Sequence, residues 1–198
     1  MSNGGQSTVR GSGTRSTLLE VASGLLEQGG IGAVTLRAVG ERAGVSRQAP
    51  YNHFADKATL LSVLAAGYLG RLGEAMGEAA EGAGEDAFEA LGAMMQAYVH
   101  FALESPSRYR LIGQEMSGPH REVHEAARGV HVRYVQTVAA CQEAGELPGG
   151  DPVELAAILF ATTHGVVELT LSGHAEEEKG LGNPAELVRG LLVRLRRD

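Results

Sequence analysis

The sequence predicts an all-α protein: an N-terminal three-helix helix-turn-helix domain, then a C-terminal helical domain, about nine helices in all. Three observations carry that expectation. The helix formers Ala, Leu, Glu and Arg are abundant among the 198 residues, alongside 28 glycines, while runs of β-branched residues are scarce. Apolar residues recur at helical spacing from Leu18 to Leu195. Between the periodic stretches stand helix-start pairs such as Asp151-Pro152 and Asn183-Pro184, and glycines that read as stops.

Leu18, Val21, Ala22 and Leu25 mark a first helix over about 14–28, preceded by a disordered tail over 1–13. A glycine-rich turn follows, and Thr35 caps a second helix with Leu36, Val39 and Ala43 inward. Gly44 closes it, Val45 is expected to be buried, and Ser46 caps a very short third helix. A fourth helix starts at Asp56 and carries Leu60, Leu61, Leu64, Tyr68, Leu72 and Met76, although Gly67, Gly70, Gly73 and Gly77 should cost it stability. Phe88, Leu91, Met95, Val99 and Ala102 mark a fifth helix, 107–116 a sixth, 119–144 a seventh, and the start pairs open the last two at 152 and 184. The expected domains are 14–62 and 63–198.

A single cysteine, Cys141, excludes an internal disulfide and suits a reducing, cytoplasmic setting. No apolar signal core or membrane-spanning run is expected. Net charge is −7, yet residues 1–60 carry +2 and the remaining 138 carry −9. Only the head has the sign that suits an anionic partner.

The segment "ERAGVSRQAPYNHFADKATLL", 41–61, is where chemistry concentrates. Two helices joined at Ala43-Gly44-Val45 make a helix-turn-helix, whose second helix lies in the DNA major groove. Its first residues are Ser46, Arg47, Gln48 and Ala49. Arg matches the two acceptors of guanine, Gln the donor–acceptor pair of adenine, and Ala49 a thymine methyl. Tyr51, Asn52 and Lys57 carry donors for phosphate, and the helix N-terminus at Asp56 adds backbone N–H groups. Pro50 falls early enough to be tolerated, and Phe54, with His53, should point inward.

"TRSTLLEVASGLLEQGG" followed by "VTLRAVGERAGVSRQAPYNHFADKATLLSVL" resembles the N-terminal domain of tetracycline-repressor-type (TetR family) regulators over about 14–64. Gly29/Gly30, Thr35, Ala43 to Ser46, Tyr51, His53-Phe54, Lys57 and Leu60-Leu61 stand where that family's pattern has them. The resemblance implies phosphate contacts from Thr35, Tyr51 and Lys57, and base readers Arg47, Gln48 and Asn52. Gln48 and Pro50 depart from the commoner small and aliphatic residues, so the operator sequence is not legible. The resemblance further implies a homodimer formed by the last two helices, about 152–173 and 184–197, a palindromic double-stranded DNA operator, and release by a small-molecule effector. It favours a repressor over an activator. His164-Gly165, Leu169 and Gly173 resemble a WHG-type C-terminal domain, with Phe160 where tryptophan is usual.

The residues support part of this independently. The helix from 152 is apolar nearly all round, which suits a core on one face and a second subunit on the other. Candidate ligand-pocket residues are Met94, Met95, His100, Tyr109, Met116, Phe160, Thr163 and His164, polar or soft groups amid apolar ones, though each also reads as ordinary core. In one continuous helix, His120, His124 and His131 would share a face, and the first two have two-histidine metal spacing, with Glu115 or Glu125 to complete it. The plainer reading is an exposed, titratable face, and no metal or cofactor is expected. The competing function is a helical oligomeric enzyme or interaction module whose helix-turn-helix is only structural, with a metal at His120 and His124. No glycine-rich phosphate loop, nucleophile elbow or compact metal triad supports an enzyme.

Overall fold

Caps set most of the helix starts. Asp86 accepts hydrogen bonds from the N–H groups of Phe88 and Glu89, Asp151 from Val153, and Asn183 from Ala185 and Glu186. Pro152 and Pro184 occupy first helical positions, where a missing N–H costs nothing. The computed structural model describes residues 6–197, and among them it holds eight α-helices, two 3-10 helices and no strand. The α-helices are α1 (Gln6–Ala33), α2 (Leu36–Arg42), α3 (Lys57–Gly82), α4 (Ala87–Glu104), α5 (Pro106–Met116), α6 (Arg121–Glu143), α7 (Pro152–Leu171) and α8 (Pro184–Leu195).

Four features differ from the expectation. Residues 1–5 of the expected tail lie outside the described residues, and α1 begins at Gln6. The apolar stripe starts only at Leu18, and a helix can run on past the part it buries. Second, the glycine-rich turn is a break at Gly30 (φ 67°, ψ −170°), after which helical winding resumes to Ala33. Third, the recognition segment is no α-helix but turns ending in a 3-10 helix at Pro50–Asn52. Fourth, α7 is long and apolar enough, by length and composition, to cross a membrane, although Glu154, Glu168 and three threonines lie within it.

The chain folds as two compact units. The first comprises residues 1–68 and 107–123, the second 69–106 and 124–198. Leu18, Ala22 and Leu26 of α1, which packs on α2, are buried in the first unit, as are Val39, Phe54, Leu60 and Leu64. Val21 and Leu25 lie at the edge of that stripe. The unit's second stretch is tied in by polar contacts the sequence could not reveal. Arg108 pairs with Glu27 and covers the Tyr68 ring at 5.4 Å, and Ser62 donates to Glu122. Tyr68 in turn donates to Ser23 (2.8 Å).

In the second unit α4 packs on α7 and α8, which also pack on each other, around Leu91, Met95, Leu159, Val167, Val188 and Leu192. Two of the glycines of α3 have a packing reason. A Cβ at Gly73 would stand 3.0 Å from both Val130 and the Arg133 guanidinium, and one at Gly77 3.2 Å from Arg133. These bare backbones let α6 approach closely, whereas Gly67 and Gly70 face open space. Gly70→Ala should therefore raise stability by ~0.5–1 kcal/mol by relieving backbone entropy, while Gly73→Ala should lower it. Urea unfolding of both variants measures this; equal gains would remove the close approach as the reason for Gly73.

Candidate nucleic-acid interface

Thr35 starts the interface by ending the chain's freedom ahead of α2. Its hydroxyl oxygen accepts from the Ala38 N–H (3.1 Å), which leaves the hydroxyl proton for another acceptor. After Ala43 the chain reverses by a Schellman turn. Gly44 adopts φ 67°, its N–H bonds to the Glu41 carbonyl (3.3 Å), and the Val45 N–H reaches back to the Gly40 carbonyl (3.2 Å). Val45, expected to be buried, is half-buried.

The segment 46–54 then winds on mixed bonds. The Ser46 carbonyl accepts from Ala49 (3.0 Å), Asn52 is shared between Gln48 and Ala49, and the Phe54 N–H bonds to Pro50 (2.9 Å). Pro50 cannot donate, so the bond that would have begun an α-helix here is missing. This is why the segment is turn-like, and why no side chain caps the 3-10 helix at Pro50 although Ser46 is a capable cap. The proline ring is buried instead against Gly40, where an added Cβ would lie 2.9 Å from Cγ. Phe54 is fully buried and the Arg15 guanidinium lies 5.4 Å from its ring centre, while His53 is half-buried. Gly40 and Arg15 were not legible as site-forming residues, since nothing in the local pattern announces a partner at Pro50 or Phe54.

What remains outward is a row of donors. Ser46, Arg47, Gln48, Asn52 and Thr35 are exposed, Ala49 is half-buried, and Tyr51 is 47% exposed. Lys57 is half-buried and donates to the Ile31 carbonyl (2.8 Å), pinning the end of α1. An ammonium has three donors, so two stay available. The N-terminus of α3 already holds an anion of its own. Asp56 accepts from the Thr59 N–H (2.7 Å) and hydroxyl (2.8 Å), and these bonds hold its carboxyl below the usual range. Arg37 is paired with Glu41 (2.8 Å), whereas Arg42, at the end of α2, is exposed. By sequence, the first unit carries nine Lys/Arg against six Asp/Glu, and the second eight against eighteen.

The eight expected pocket residues have different surroundings. Tyr98, Phe160 and His164 do cluster: the tyrosine hydroxyl is 2.9 Å from His164 Nδ1, and Phe160 meets both rings at 5.6 Å. Met94 accepts from the Thr137 hydroxyl (3.3 Å), Met95 is core, and Thr163 donates to its own helix at Leu159. His100 is exposed beside Glu104 (3.1 Å), and Tyr109 and Met116 belong to the first unit. The sequence missed Tyr134, whose buried hydroxyl has no hydrogen-bond partner among the described residues; burial raises its pKa. Burial likewise pushes the Cys141 thiol up to about 12.

The histidine arrangement needs correction. His120 precedes α6, its carbonyl receiving the Val123 N–H, because the Gly118-Pro119 turn delays the helix to Arg121. Its ring lies 3.2 Å from Glu115 Oε2, so His120 stands just outside the helix that carries His124 and His131. Among the described residues no group of three or more His, Cys, Asp or Glu could hold a metal ion.

Comparison with known proteins agrees with this geometry. Residues 18–64 match the family model of bacterial regulatory proteins, tetR family, and residues 91–195 that of the tetracyclin repressor-like C-terminal domain. No curated protein matches the chain. A protein of unknown function from Rhodococcus sp. RHA1 is similar at TM-score 0.83 and 32% identity, over 92% of this chain and 93% of its own. A TetR family transcription regulator from Marinobacter aquaeolei VT8 aligns at TM-score 0.70 and 18% identity, covering 96% and 99% of the two chains. RolR in complex with resorcinol aligns at 0.68 and 17%, covering 96% and 90%. These last two likenesses are of fold. With its helix-turn-helix and more than half of its length matched, the chain belongs to the tetracycline-repressor family of DNA-binding transcriptional regulators.

Proposed function

We propose that the protein is a homodimeric repressor that binds a near-palindromic operator and leaves it when a small molecule binds the second unit. The carrying observation is the row of exposed, uncommitted donors on residues 46–52, held by a turn and a buried proline. Arg47, Gln48 and Asn52 read base edges and Ala49 meets a thymine methyl. Thr35, Ser46, Tyr51 and the free donors of Lys57 bind phosphate, and Arg42 joins them. The setting is cytoplasmic, and no catalytic role is assigned.

Dimerisation is supported by α7. Ile158 is 53% exposed and Phe160 48%, and Leu169 is exposed as well, an apolar surface that a lone chain leaves in water. A second copy, through α7 and α8, covers it. For the effector, a small aromatic molecule suits the Tyr98–Phe160–His164 cluster. RolR, which shares the fold, holds resorcinol, another small aromatic. The ligand acts by preferring a dimer whose two heads miss the operator spacing, and shifts DNA binding only as far as that preference allows. Helix α3 supplies residues to both units and is the element through which the preference passes. A WHG-type subgroup for the second unit remains a proposal resting on His164-Gly165, Leu169 and Gly173.

Two outcomes check this. Arg47→Ala should relax preference at one base pair of each half-site, costing ~1–3 kcal/mol there, whereas Thr35→Val should weaken all sequences alike. Binding-site selection with each variant reads both; an unchanged preference for Arg47→Ala would move the reading segment elsewhere. The pair Ile158→Glu and Leu169→Glu should convert a dimer to a monomer in light scattering, and a persisting dimer would exclude α7 as the interface.

A further inference from the structure

Two faces with the same spacing meet in the second unit. On α4 they are Glu89, Gly92, Ala93 and Gln96, and on α8 Arg189, Leu192 and Val193, followed by Arg196 just past the helix end, each set numbered i, i+3, i+4 and i+7. With small residues from the end of α3 they enclose a groove of about 510 Å³, within the range of small-molecule sites. The helices run antiparallel here. The Arg196 guanidinium lies 4.3 Å from the Phe88 ring centre, and a Cβ on Gly92 would be 3.7 Å from Leu192. Continuing that register brings Gln96 level with Arg189 at the other end.

The two ends differ in chemistry. Arg196 is committed, paired with Glu146 (2.7 Å) and stacked on Phe88, and Glu89 adds a negative charge beside it. That end repels an anion. Arg189 makes no hydrogen bond or ion pair among the described residues, and its neighbour Gln96 carries an amide donor. A guanidinium fork with an amide beside it is a carboxylate receptor. Between the ends the wall is apolar, and Val193 leaves 56% of its surface uncovered. The unit has eight Lys/Arg against eighteen Asp/Glu, and four of the eight, Arg189, Arg194, Arg196 and Arg197, lie in its last stretch.

We propose that this groove binds an elongated organic monocarboxylate, its carboxylate on Arg189 and Gln96 and its apolar body along Ala93, Gly92 and Val193 toward Phe88. The seven-residue offset between the arginines spans ~10 Å of helix, which suits a medium-length alkanoate. The site is separate from the Tyr98–Phe160–His164 cluster and does not rest on the DNA-binding reading.

The test is calorimetric titration of the full chain with octanoate, with octanol as the uncharged control, in the absence of DNA. Octanoate should bind once per chain and octanol at least about tenfold more weakly. Arg189→Met should cost octanoate about tenfold or more, with Arg189→Lys recovering part of the loss, and Ala93→Leu should abolish binding by filling the groove. Arg189 is exposed, so its variants keep the fold, which thermal melting verifies. No octanoate binding, equal affinity for octanol, or affinity unchanged in both Arg189→Met and Ala93→Leu would each overturn the proposal.

Discussion

Gly40 is the position on which the reading head depends. Its carbonyl receives the Val45 N–H that closes the reversal after α2, and its bare Cα is the seat of the Pro50 ring. One residue therefore fixes where the recognition segment starts and how near it lies to the helix behind it. Gly44 completes the turn at φ 67°, a conformation that costs an ordinary L residue ~1–2 kcal/mol. Once these are in place, Phe54 closes the segment from below. Residues 46–52 are then held without the α-helix that Pro50 denies them, and their outward side chains carry no structural duty.

Duty is instead shared by the flanking polar residues. Thr35 caps α2 with its oxygen and keeps a proton to give; Lys57 anchors Ile31 with one hydrogen and keeps two. Each can touch phosphate without releasing the contact that shapes the head. This couples the stability of the first unit to the geometry in which it meets DNA. Charge adds direction at longer range. By sequence the first unit carries a net +3 and the second −10, so a polyanion is attracted to the first and repelled by the second.

Much of this was legible in the sequence, for identifiable reasons. Caps are local signals, so Thr35, Asp151-Pro152 and Asn183-Pro184 mark helix starts unaided, and Gly44 declares its turn because few other residues adopt it. Periodicity also found the stripes of α3, α4 and α8. What escaped is non-local or depends on a competing local bond. Residues 107–123 join the first unit through Arg108–Glu27 and Ser62–Glu122, pairs separated by 81 and 60 positions. Gly73 looked like a defect until α6 stood against it. Helix α6 starts at Arg121 rather than at 119, because Gly118-Pro119 delays it and leaves His120 outside. Pocket residues were the least legible, since a methionine or histidine lining a cavity and one filling a core share the same spacing.

The most direct measurement is selection of bound duplexes from a random DNA pool by the wild-type protein at moderate salt. The expected result is an enriched inverted repeat with half-site centres about one helical turn, ~34 Å, or a multiple of it apart, and with affinity that falls steeply as salt rises. No enrichment even at low salt, or a site without symmetry, would contradict a paired head that reads DNA through residues 46–52.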